Sequence, residues 1–83
     1  MNIDSLIKMA NEIGAYFASQ RDAEQAAKDV AAHLKRYWEP RMRRQMVAYY
    51  EERRGAGLSD LALRGVALLA AAEPSAAASA GPL

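Results

Sequence analysis

The sequence predicts an all-α protein, a small bundle of three to four helices with a disordered C-terminal tail. Three observations predict it. Apolar residues recur at three- and four-residue spacing through four segments, the period of a helix with one buried stripe. Cap residues and breakers stand at the borders of those segments, among them Asp22, Pro40, Gly55, Ser59 and Pro74. No strand-like alternation and no internal repeat occurs. The helical domain is expected over residues 1–72 and the Ala/Ser/Pro tail over residues 73–83.

The first helix is expected over residues 4–18, with Leu6, Met9, Ala10, Ile13 and Phe17 as its stripe. Gly14 stands mid-helix, where glycine costs roughly 1 kcal/mol relative to alanine. It is either a tolerated blemish or a point where another helix comes close, since it has no Cβ. Asn11 lies off the stripe, solvated or serving a partner. After the connector Ser19-Gln20-Arg21, Asp22 is a good N-cap with Gln25 in the capping-box position. The second helix then runs to about Trp38 along Ala23, Ala27, Val30, Leu34 and Tyr37/Trp38. Its alanines and the short connection favour an antiparallel pair with the first helix.

Pro40 has no backbone N–H and biases Glu39 away from the α region, so the second helix must break there. Proline suits the first turn of a third helix, expected from Pro40 to about Arg54 with Met42, Met46 and Tyr49 inside. The Arg53-Arg54 pair suits the negative end of the helix dipole. Gly55-Ala56-Gly57 supplies the stop, glycine being the residue that tolerates a left-handed backbone. Ser59 caps a fourth helix, Asp60 favours its first turn, and Leu58 is placed to staple onto Leu63. That helix carries Leu61, Val66 and Leu69, few charges, and ends at Glu73-Pro74.

Composition removes several function classes. The chain has 83 residues, 52% of them apolar, which bounds it to one small domain whose own core is marginal. It has no Cys and one His, so disulfides, thiolate zinc and a histidine-based metal site are not expected. The formal charge of +1 argues against a dedicated nucleic-acid binder. No basic n-region followed by an apolar h-region opens the chain, and no apolar run is long enough for a membrane span, so cytoplasmic residence is expected.

The most informative stretch is His33-Leu34-Lys35-Arg36-Tyr37-Trp38-Glu39-Pro40-Arg41-Met42-Arg43-Arg44, a helical corner with the only Trp and five basic residues. His33 has no Ser, Cys or carboxylate obviously placed to make a catalytic pair with it. Glu51 and Glu52 are adjacent and so diverge on a helix. Gly55-Ala56-Gly57 lacks the lysine and the preceding strand of a phosphate loop. No catalytic, cofactor-binding or metal-binding residue is therefore assigned. Trp38 is either core or the anchor of an interface, where Trp, Tyr and Arg are enriched. The arginines are either a solvated face or forks for carboxylate or phosphate. The candidate partner interface comprises His33, Arg36, Trp38, Arg41, Arg43 and Arg44. On that reading Arg43→Glu leaves the isolated fold intact and weakens assembly.

Three pieces of the chain resemble one family. They are Met9-Ala10-Asn11-Glu12-Ile13-Gly14, then His33-Leu34-Lys35-Arg36-Tyr37-Trp38-Glu39-Pro40-Arg41-Met42-Arg43, and Gly57-Leu58-Ser59. Together they resemble the delta subunit of the soluble NAD-dependent, molybdenum-containing formate dehydrogenases, over roughly residues 3–70. Glu12 and Tyr37 stand where Gln and Phe are common in that family, and the Ala-rich tail matches no part of its pattern. The resemblance implies an accessory chain without a cofactor of its own. It also implies larger partner subunits carrying bis-molybdopterin guanine dinucleotide with molybdenum, iron–sulfur clusters and FMN. The molybdenum-containing alpha subunit is the first partner to expect. The competing reading is a small nucleic-acid-binding or regulatory module using residues 35–44. An independent enzyme is a third, and it lacks a partner for His33.

Overall fold

Three of the four helix starts have a side chain that replaces the missing backbone acceptor of the first turn. In the computed structural model, which describes residues 2–74, Asn2 Oδ1 accepts from the Asp4 N–H at 2.7 Å and opens α1 (Ile3–Phe17). Asp22 accepts from the N–H groups of Glu24 and Gln25 at 3.0 and 3.2 Å and opens α2 (Ala23–Tyr37). Ser59 Oγ accepts from the Ala62 N–H at 3.3 Å and opens α4 (Asp60–Ala72). The exception is α3 (Pro40–Arg53), whose cap residue Glu39 makes no side-chain bond. Pro40 at its first position removes one of the donors that a cap would have to satisfy. The four helices and the absence of strand among the described residues match the all-α expectation. The tail expected from residue 73 lies, beyond Pro74, outside the described residues.

Helix α1 buries the line Leu6, Ala10 and Gly14, each one turn from the next. A Cβ on Gly14 would lie 3.2 Å from the Ala62 nitrogen and 3.3 Å from Ser59 Oγ, so the close-approach reading of this glycine holds. The line Met9, Ile13 and Phe17 lies beside it and stays half-buried. In α2 the buried positions are Ala26, Ala27, Val30, Ala31 and Leu34, while Ala23 in the first turn is exposed. Met46 and Val47 of α3 and Ala62, Val66 and Leu69 of α4 complete the core.

Helices α1 and α2 pack together, as the short connector suggests, but the most extensive helix pair is α2 with α4. The physical reason is Gly65. A Cβ there would collide with the Val30 side chain, at 2.7 Å from Val30 Cβ, and would lie 3.4 Å from the Ala27 carbonyl oxygen. Alanines on one helix and glycine on the other bring the two backbones together.

The segment between α3 and α4 departs from the sequence reading at its first residue. The left-handed backbone begins at Arg54 (φ 58°) and continues at Gly55 (φ 71°), with Gly57 also positive at 93°. Leu58 and Leu63 both close over Gly55. Asn11, which the sequence placed in solvent or against a partner, instead spans this loop. Its Nδ2 donates to the Gly57 carbonyl at 3.0 Å and its Oδ1 accepts from the Ser59 N–H at 2.8 Å. The Tyr49 hydroxyl donates to the Ala56 carbonyl on the other side.

The capping box at α2 is half made. Gln25 Nε2 donates to Asp29 Oδ1 at 2.9 Å rather than turning back to the cap, and Gln20 Nε2 donates to Asp29 Oδ2 at 2.6 Å. These two bonds, Gln20 first and Gln25 second, hold the Asp29 carboxyl below its ordinary value of 3.8 against a smaller opposing effect of desolvation.

Two outcomes are expected. Gly65→Ala overpacks the α2–α4 contact and costs about 1–3 kcal/mol. Thermal unfolding followed by circular dichroism should show Tm falling by roughly 4–8 °C per kcal/mol in a domain of this size. Because the Asp29 pKa is lowered in the folded state, its contribution is present above the unfolded pKa. It is lost as pH falls through the folded one. An NMR titration should place the Asp29 midpoint below 3.8, and Asp29→Asn should flatten that part of the stability profile.

Candidate docking face

At the corner, α2 ends at Tyr37, and Trp38 and Glu39 are extended at ψ 139° and 152° before Pro40 starts α3. The backbone restriction imposed by Pro40 produces this shape. It turns the Trp38 indole inward, where it is 5% exposed and joins the cluster of Leu34, Met46 and Leu69. Of the two roles considered for Trp38, the core role is therefore visible in the chain itself.

Arg43, one of the residues assigned to the candidate interface, is bonded within the chain. Its Nη1 donates to the Trp38 carbonyl at 2.6 Å and to the Lys35 carbonyl at 3.2 Å. Its Nε donates to Glu73 Oε1 at 2.8 Å. The guanidinium thus closes the carbonyl end of α2 and ties it to Glu73, the C-cap of α4. A planar fork with fixed donors can serve three acceptors in this way, and an ammonium could not hold the same geometry.

Of the remaining residues assigned to the interface, His33 and Trp38 line a groove. It has a volume of about 410 Å³ between α1, α2 and the first turn of α3. One wall is the half-buried line of α1, Met9, Ile13 and Phe17, edged by Glu12 and Tyr16. His33 and Tyr37, one turn apart on α2, form the other, with Trp38 and Met42 at the corner end. The rings make a continuous run. Tyr16 and Phe17 meet edge-on at 4.9 Å, Phe17 and His33 at 6.1 Å, and His33 and Tyr37 at 4.6 Å between centroids. Tyr16 and Tyr37 are 76% and 65% exposed, the two most exposed large apolar side chains among the described residues.

Arg36 sits with its guanidinium carbon 5.7 Å from the centre of the Tyr37 ring. Arg41 and Arg44 are exposed on the first turns of α3. Among the described residues these three arginines form no ion pair. So the structure brings His33 and Trp38 to one groove, places Arg36 against Tyr37 of its α2 wall, leaves Arg41 and Arg44 exposed on α3, and ties the partly buried Arg43 to the ends of α2 and α4. Tyr16, Ile13 and Met9 were missed as groove residues. The signal was present in a second apolar line one position around α1 from the buried one.

Among the described residues, no group of three or more His, Cys, Asp or Glu is placed to hold a metal ion, and no helix is long and apolar enough to cross a membrane. His33 makes ring contacts, and no carboxylate or hydroxyl bonds to it among the described residues. The chemistry the groove supports is apolar and aromatic contact, with the Glu12 carboxylate on the α1 wall and the Arg36 guanidinium beside Tyr37 on the α2 side.

Arg43→Met should cost about 2–3 kcal/mol, because hydrogen bonds to a charged group are lost and two carbonyls lose their donor. Arg43→Glu should be worse, placing a second carboxylate beside Glu73. This replaces the expectation that the isolated fold tolerates the change, and a denaturant melt of the isolated chain checks it. Trp38→Ala should cost about 3–5 kcal/mol by the same measurement, a large share of the stability of a small domain.

The chain was compared with known families, curated proteins and solved structures. Residues 5–66 match the family model described as FdsD, the NADH-dependent formate dehydrogenase delta subunit. Neither the curated proteins nor the solved structures gave a match. The match spans most of the chain and takes in α1, α2, α3 and the first half of α4, so the protein belongs to the formate dehydrogenase delta-subunit family.

Proposed function

We propose that this chain is a non-catalytic accessory subunit that assembles with the larger subunits of a cytoplasmic NAD-dependent formate dehydrogenase, the molybdenum-containing alpha subunit first among them. It stabilises that complex or assists its formation. The complex oxidises formate to CO2 and reduces NAD. On this reading the bis-molybdopterin guanine dinucleotide with molybdenum, the iron–sulfur clusters and the FMN reside in the larger subunits, and this chain contributes surface.

The family match over residues 5–66 carries the proposal. The groove supports it, since aromatic and arginine side chains left uncovered in a small domain are the usual material of an interface. His33, Arg36, Arg41 and Arg44 are the residues offered to the partner, with Trp38 holding the corner from within and Arg43 fixing its shape.

An affinity-tagged copy at native expression level should recover subunits containing molybdenum and flavin, identified by mass spectrometry and metal analysis. Recovery of the chain alone overturns the proposal. Arg41→Glu and Arg44→Glu should leave the melt of the isolated chain within about 0.5 kcal/mol of the parent, as expected for exposed positions. They should also lower recovery of the larger subunits. Parent-level recovery would make that edge a solvated surface only.

A further inference from the structure

We infer that the groove between α1 and α2 receives an acidic amphipathic helix of a larger subunit, laid as a third helix across Tyr16, Phe17, His33 and Tyr37. The inference rests on the assembly proposed above and specifies its seat and its occupant.

The shape argues for a helix. Both walls are helices, and their uncovered side chains recur every four residues, as Met9, Ile13 and Phe17 on one and His33 and Tyr37 on the other. Such rows accept the ridge of another helix, and an apolar helical face lying in a groove is a recurrent mode of peptide recognition. Among the described residues there is no strand edge to which an extended segment could add.

The charge argues for acidity. With Arg43 neutralised by Glu73, the corner stretch retains Lys35, Arg36, Arg41 and Arg44 against Glu39. The Arg36 guanidinium carbon lies 5.7 Å from the centre of the Tyr37 ring, beside the α2 wall, without an ion partner among the described residues. A carboxylate on the incoming helix completes that guanidinium fork. Glu12 lines the opposite wall, so the occupant's acidic residues face α2 and its neutral or basic residues face α1. A second depression, between α2 and α4, also has charges of both signs on its walls, Glu24 with Lys28 and Arg64, and it has no aromatic ring among its lining residues.

The test uses the full chain coexpressed with the larger subunits. A photoreactive phenylalanine analogue replaces Tyr16 in one sample and Tyr37 in another, and crosslinked peptides are identified by mass spectrometry. Both positions should label one segment of a larger subunit, patterned as an amphipathic helix with carboxylates on one flank. Arg36→Glu combined with Tyr37→Ala should lower recovery of the larger subunits at least tenfold while the melt of the isolated chain stays at the parent value. The inference is overturned, with the assembly proposal intact, by any of three results from a recovered complex. These are labelling of unrelated segments, of a segment without carboxylates or of a second copy of this chain, absence of labelling from both positions, and parent-level recovery of the double variant. If the parent chain recovers no larger subunit, both fall.

Discussion

A guanidinium from α3 reaches back to the carbonyl end of α2 and sideways to Glu73, the C-cap of α4. Helix C-termini leave carbonyls without partners in the helix itself. Arg43 supplies the donors that the break at Pro40 would otherwise leave missing. The same group bonds the Trp38 carbonyl and Glu73, so it ties the start of α3 to the ends of α2 and α4. Met42 and Trp38 lie at the corner end of the groove.

Much of this was legible from residue chemistry. Asp22, Ser59 and Pro40 mark helix starts because their effects are local, within a few bonds of the residue. What was not legible depended on neighbours distant in sequence. Periodicity says that α2 has an apolar face and not that α4 covers it, and the decisive residue, Gly65, carries no side chain to announce a contact. Arg43 reads as one more surface charge until a carbonyl end and a carboxylate are brought to it. Asn11 reads the same way until the Gly57–Ser59 backbone lies beside it. Arg54 in a left-handed conformation, with two glycines nearby, shows that local propensity yields to where the chain must go next.

The three sequence pieces that carry the family resemblance are not scattered in space. Asn11 from the first bonds to both ends of the third, and Gly14 from the first lies against Ser59 of the third. Arg43 and Trp38 from the second bond to one another. Much of the distinctive sequence therefore maintains the shape of this domain, while Tyr16, Tyr37 and Arg36 do no comparable internal work and stay at the surface.

The buried corner also makes the molecule its own optical probe. The chain's sole indole sits at one end of the groove, shielded from water, next to Met42. Its emission reports at once on the integrity of the interior and on anything that settles over the ring run from Tyr16 to Tyr37. A ligand scan or a rapid-mixing trace can be read on the native polypeptide, with no dye attached.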